Sequence, residues 1–122
     1  MILLDTSALI WLEQNHPRSL PLTRTTSRLY VSPATVLELQ ILLEAGRIRL
    51  RDVTVDALVS DDRWMLDDPP AVKWFTQALE FGWTHDPFDR LIAAHARLRG
   101  WRLATGDAAL AARLGARSSL VL

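Results

Sequence analysis

The chain has 122 residues, 49% of them apolar, and its 14 basic side chains balance 14 acidic ones to a formal charge of zero. That length suits a single domain (residues 1–122) able to bury roughly two-thirds of its unfolded surface without covalent staples. It contains no cysteine, which excludes a disulfide scaffold, a thiolate metal site and a cysteine nucleophile.

Zero charge argues against a domain that holds nucleic acid through a bulk positive field, because such domains are usually clearly basic. A local patch remains open. Every basic residue except Lys73 is an arginine, the better bidentate partner for phosphate or carboxylate, although a genome-wide bias toward arginine explains the same count. Uncharged stretches such as Leu29–Leu37 fall well short of the roughly 18–20 apolar residues of a membrane span. The opening MILLDTSALIWLE carries acids where a secretory signal places basic residues ahead of an apolar run. A soluble, cytoplasmic α/β domain with no membrane partner is expected.

Taken in chain order, Ile2–Leu4 is a short apolar run that stops at Asp5-Thr6-Ser7, a buried strand feeding a helix over Ala8–Glu13. His16–Arg28, with two prolines and three threonines, reads as loop or a short irregular helix. Leu29–Ser32 is a second strand. Ser32 then caps a helix with Pro33 at its first position, running to about Ala45 with Gly46 as the stop. Asp52–Asp61 and Ala71–Phe81 read as two further helices, separated by Asp67-Asp68-Pro69-Pro70. Asp86-Pro87 opens another helix that ends at Gly100, followed by a strand at Trp101–Ala104, a helix at Ala108–Leu114 and a strand at Ser119–Leu122. Three or four strands alternating with five or six helices predict βαβ units and a parallel sheet covered on both faces. In such sheets ligands sit beyond the carboxyl ends of the strands.

Asp5 and Asp107 both fall at that edge, and each has an alternative role as the cap of the helix that follows it. Glu38 is placed differently. At about 100° per residue, Ala34, Ile41, Leu42 and Ala45 fall within about 60° of it. A carboxylate inside that apolar stripe needs either a site role or a buried arginine partner. The segment His85-Asp86-Pro87-Phe88-Asp89-Arg90 holds two more acids. Asp86 suits an N-cap; Asp89 suits the first turn, where the helix dipole favours negative charge. Asp89 also shares the inward face of Ile92, Ala93 and Ala96. Asp5, Glu38, Asp89 and Asp107 can therefore converge, and four ionised carboxylates need a cation to do so. Oxygen ligands alone suit Mg²⁺ or Mn²⁺ rather than zinc. His16 and His95 read as surface residues, and His85 as a possible substrate contact.

These residues, in this order, resemble the PIN-domain family, and within it the VapC-like toxins of type II toxin–antitoxin pairs. Asp5-Thr6-Ser7 after the first strand, Glu38 in the second long helix, the DPFDR segment followed by Leu-Ile-Ala-Ala, and Thr105-Gly106-Asp107 carry the likeness along essentially the whole chain. The resemblance implies a three-layer sandwich, a small parallel sheet with helices on both faces. It also implies an RNA endonuclease in which Asp5, Glu38, Asp89 and Asp107 bind Mg²⁺ (or Mn²⁺) and catalyse. Asp5 and Asp89 would hold the ion, and Thr6, Ser7, Asp86, Arg90 and Thr105 would support. Trp11, Trp64 and Trp74 are candidates for an exposed interface with the partners the resemblance implies: a second copy in a homodimer, a cognate antitoxin, and a higher toxin–antitoxin assembly. Gly106 departs from the family pattern, where a larger residue is common, and Arg63–Trp83 does not align. Two other readings stay open: a non-catalytic PIN-like module that binds RNA or protein, and a Mg²⁺-dependent phosphoryl-transfer domain. The second lacks Asp-x-Asp after the first strand, because Ser7 stands at the second position.

Overall fold

The computed structural model describes residues 1–51 and 53–122. Five strands form one sheet in the order β3-β2-β1-β4-β5, every neighbouring pair parallel. They are β1 (Ile2–Leu4), β2 (Leu29–Val31), β3 (Met65–Leu66), β4 (Arg102–Thr105) and β5 (Ser119–Val121). The helices are α1 (Thr6–Glu13), α2 (Leu20–Thr23), α3 (Pro33–Glu44), α4 (Val55–Val59), α5 (Ala71–Ala78), α6 (Pro87–Arg99) and α7 (Ala108–Leu114), with a 3₁₀ turn at Pro17–Ser19 ahead of α2. In the central strand Leu3 pairs with Tyr30 on one side and Leu103 on the other.

Side chains alternate across a strand, so β1 sends Ile2 and Leu4 into one core and Leu3 into another. The first core gathers α1, α2, α4, Leu39 of α3 and Trp64. The second gathers α5, α6 and Leu110 of α7. A strand buried on both faces must be apolar throughout, which is why Ile-Leu-Leu reads as a continuous run. Small residues on α6, among them Ala93 and Ala96, are fully enclosed and let that helix lie close to the sheet. This is the expected three-layer α/β architecture.

Several boundaries differ from the sequence reading. The fifth strand, β3, was not foreseen: it has two residues, both exposed, and no alternation to betray it. The helix expected over Asp52–Asp61 is limited to Val55–Val59, capped by the Thr54 hydroxyl on the Ala57 N–H, and its expected start at Asp52 lies outside the described residues. Trp64 and Trp74 are not surface groups. Both are buried, and their indole N–H groups donate to the carbonyls of Leu58 and Leu91.

His95 is likewise no surface residue. It is fully buried, and its Nε2 lies 2.7 Å from Asp67, which also accepts two hydrogen bonds from the Arg99 guanidinium at 2.8 and 3.2 Å. Five consecutive residues of α6, Ile92–Ala96, are enclosed, because the helix is covered by α5 on one side and the sheet on the other. A single-face helical pattern does not anticipate that. Burial holds the His95 imidazole below its usual range despite the neighbouring Asp67. The neutral ring is left to donate from Nε2.

Candidate active site

The carboxyl ends of β1 and β4 adjoin, with the Asp5 N–H donating to the carbonyl of Ala104 at 3.0 Å. Asp5 leaves the strand and caps α1: its Oδ1 accepts the Ala8 N–H at 2.8 Å and the Ser7 hydroxyl at 2.9 Å. Asp107 does the same for α7, accepting from Ala109 and Leu110 at 2.9 and 3.0 Å. Asp86 caps α6 on the N–H groups of Phe88 and Asp89. All three capping roles hold. In each case the cap bonds engage Oδ1. Thr105, fully buried at the end of β4, joins the two strand-end acids: its hydroxyl bonds Asp5, and its oxygen accepts the Asp107 N–H at 3.0 Å.

Glu38 approaches from α3 and accepts a hydrogen bond from the Thr6 hydroxyl at Oε1. The buried face of α3 is Ala34, Thr35 and Leu39; of the expected stripe of Ala34, Ile41, Leu42 and Ala45, only Ala34 is buried. Ile41 is 43% exposed and Ala45 is exposed. The helix is apolar around most of its girth, so the apolar stripe could not fix its orientation. Glu38 is half-buried at the border of that face. Thr35, which the sequence reading passed over, lies fully buried with its hydroxyl 3.3 Å from that of Thr6; its position one turn before Glu38 was the available signal. Asp89 is half-buried in the first turn of α6, on the same side as the enclosed Ile92, Ala93 and Ala96.

Three of these carboxyls are pushed toward neutrality. Burial raises Asp5, against the opposing hydrogen bonds from Thr105, Ala8 and Ser7, and the charge of Asp107 adds to the rise. Burial also raises Glu38, with Asp86 and Asp5 adding to it against the Thr6 hydrogen bond. Asp89 is pushed up to about 6, by burial first and then by the charges of Asp86, Glu38, Asp5 and Asp107. Four acids act on that one carboxyl, Asp86 from its own helix cap and three from other parts of the chain, so the five share one electrostatic neighbourhood. None of the ion pairs among the described residues involves any of them. Arg90 lies against the preceding turn, its Nε donating to the Thr84 carbonyl at 2.6 Å. His85 is exposed.

The donor set is all oxygen and has no ion-pair partner among the described residues, which fits a hard divalent ion. Among the described residues, no three His, Asp or Glu side chains stand near enough to hold one ion between them. An ion held here would rest on one or two carboxylates and rely on water for the rest of its shell, as Mg²⁺ usually does.

A sequence model of the PIN domain matches residues 2–115. The chain belongs to the PIN domain family. The search of curated proteins gives no match. Among solved structures, the fold is similar to PAE2754 from Pyrobaculum aerophilum, at 24% identity over 98% of this chain and 87% of that one, with a TM-score of 0.61. It is also similar to FitAcB from Neisseria gonorrhoeae (24% identity, 90% of each chain, TM-score 0.52). A third similar structure is FitAB bound to an IR36 DNA fragment (22% identity, 89% of this chain and 87% of that one, TM-score 0.52). At these identities the likeness is one of fold.

In this PIN domain the unusual Gly106 has a local cause. A Cβ there would come within 2.2 Å of Cη2 and 2.6 Å of Cζ3 of Trp11. The indole, carried on α1 beyond the Asp5 cap, occupies the volume a side chain would take. Trp11 is thus half-buried against the loop that carries Asp107.

Proposed function

We propose that this PIN domain is a Mg²⁺-dependent endoribonuclease, the toxin of a toxin–antitoxin pair. The observation that carries the reading is Asp89, a carboxyl raised to about 6 among four other acids with no cationic partner. Folding holds these charges together at a cost that a divalent cation would offset.

Asp5 and Asp89 are the carboxylates assigned to hold the ion. Bound there, Mg²⁺ or Mn²⁺ supplies a Lewis acid for phosphate oxygens and lowers the pKa of a coordinated water. Glu38 and Asp107 orient water on the open side, and Glu38, already drawn toward its protonated form, accepts the proton that attacking water releases. Thr6 keeps the Glu38 carboxylate in place through its hydroxyl, and Thr105 does the same for Asp5. Ser7 and Asp86 hold the ends of α1 and α6 on which Asp5 and Asp89 sit. Purified protein with Mg²⁺ is expected to cut single-stranded RNA, with cleavage abolished by EDTA and by Asp5→Asn. Cutting that persists unchanged under both ends this reading.

Family membership also supports a cognate antitoxin and a homodimer. Val72 and Phe75 on α5 and Leu79 at its C-cap stand at i, i+3 and i+7 with exposures of 81, 55 and 75%, an apolar stripe of the kind that marks protein interfaces. We assign it to a second copy of the chain. Leu37 and Ile41 form a smaller exposed pair on α3, the surface nearest Glu38, and suit the antitoxin.

One observation favours a second reading. Because no three acids close on a single ion among the described residues, a PIN domain that binds RNA or protein without cutting is the alternative. Calorimetric titration with Mn²⁺ separates the two, since only the nuclease requires binding that Asp89→Asn weakens.

A further inference from the structure

The segment His16-Pro17-Arg18, unused by the nuclease reading, folds back beside the acid cluster. The guanidinium carbon of Arg18 stands 4.2 Å over the indole of Trp11. Its Nη2 donates to the carbonyl of Leu122 at 2.8 Å and to that of Gly106 at 3.3 Å, which fixes the plane of the group. His16 stacks on the same indole, ring centroids 5.5 Å apart and planes 27° from parallel, and its Nδ1 accepts the Arg18 N–H. The far edge of the indole fills the space above Gly106, next in sequence to Asp107. Two aromatic rings and one arginine are thus locked together at the rim of the acidic site.

The same arginine is exposed and takes part in none of the ion pairs among the described residues. Its hydrogen bonds to the two carbonyls use Nη2 and leave Nε and Nη1 for another acceptor. Nucleobases stack on aromatic rings and on guanidinium planes, and phosphate oxygens take paired arginine N–H groups. A chain with zero net charge has no bulk field to hold a polyanion against five acids, so a fixed local cation beside them is what binding requires.

We propose that Trp11, Arg18 and His16 form a nucleotide subsite for single-stranded RNA, taking the nucleotide that flanks the phosphate at the acid cluster. The base lies on the open side of the Trp11–Arg18 stack, and its phosphate meets the guanidinium nitrogens not engaged by Gly106 and Leu122. This rests on the nuclease reading, and it makes Arg18 a determinant of which strands are held.

The test uses Glu38→Gln protein with Mg²⁺, to suppress cutting, and a fluorescein-labelled single-stranded RNA of about ten nucleotides, with affinity read by anisotropy across a salt series. Adding Arg18→Ala is expected to weaken binding about tenfold and to reduce the slope of log affinity against log salt by about 0.7. Arg18→Lys is expected to restore the slope but not the affinity, because ammonium keeps the charge and loses the flat stacking surface. Affinity unchanged to within about twofold in Arg18→Ala overturns the proposal, since a lost stack should cost more than that. Weakening with an unchanged salt slope also overturns it, because Arg18 would then only brace the two carbonyls. If the unsubstituted protein neither binds nor cuts RNA, the nuclease reading falls as well; if it does both and Arg18→Ala is neutral, only the subsite falls.

Discussion

Replacing Asp89 by asparagine should make the metal-free protein more stable, the opposite of what loss of a helix first-turn acid does on an ordinary surface. The Asp89 carboxyl is raised from 3.8 to about 6, so at neutral pH the fold holds an ion it would rather protonate. At about 1.4 kcal/mol per pH unit that shift corresponds to about 3 kcal/mol. Solvent reaches this half-buried group and screens it, leaving about 1–2 kcal/mol, reduced further by the favourable helix dipole. For a chain of this length that is a rise in Tm of about 4–8 °C.

The pH dependence follows from the direction of the shift. Because the folded pKa is above the unfolded one, the destabilisation is complete above about 6, is relieved as pH falls toward 3.8, and is gone below it. Calorimetric melts in EDTA at pH 7.5 and pH 3.5 check this: the variant should melt higher at the first and together with its parent at the second. Adding Mg²⁺ should stabilise the parent by mass action and the variant less, closing the gap from the other side. A variant equal to or less stable than its parent at pH 7.5 in EDTA, or an offset of the same size at both pH values, refutes the claim that the Asp89 charge is disfavoured by burial and by its neighbours' charge.

Gly106→Ala should cost about 1–3 kcal/mol by overpacking against Trp11, and urea unfolding should show the loss shrinking when Trp11→Leu is combined with it; strictly additive losses would deny the contact. Asp67→Ala should destabilise by about 2–4 kcal/mol, because it strands the buried His95 Nε2. Although burial raises the Asp67 carboxyl, its hydrogen bonds from Arg99 and His95 hold it below the usual range. Its contribution is therefore present above the unfolded pKa and lost as pH falls through the folded one, so the gap in acid melts should close. Phe75→Asp on α5 should convert a dimer into a monomer in light scattering after size exclusion, and a parent that is monomeric at all concentrations refutes the assignment of that stripe.

Much of this fold was legible along the chain because its cues are local. Ser32-Pro33 and Asp86-Pro87 announce helix starts within two residues, Gly100 ends α6 with a left-handed φ of 70°, and Ile2–Leu4 is apolar without interruption because both its faces are covered. The acids at Asp5 and Asp107 were legible for the same reason, since each follows directly on a strand. β3 was not, because two exposed residues carry no period. The orientation of α3 was not either, because a helix apolar on nearly every side offers no preferred face, and Glu38 was placed by the Thr6 hydroxyl rather than by the stripe around it.

What the sequence by itself determined was most of the elements, the parallel character of the sheet and the edge at which the strand-end carboxylates emerge, all properties of short windows governed by backbone preference and burial. Only the tertiary structure decided which charges feel one another, that His95 is sealed against Asp67, and that Trp11 has taken the place of a side chain at Gly106. Those are contacts between residues about 30 to 95 positions apart, set by how whole helices settle on the sheet, and no local pattern encodes that distance.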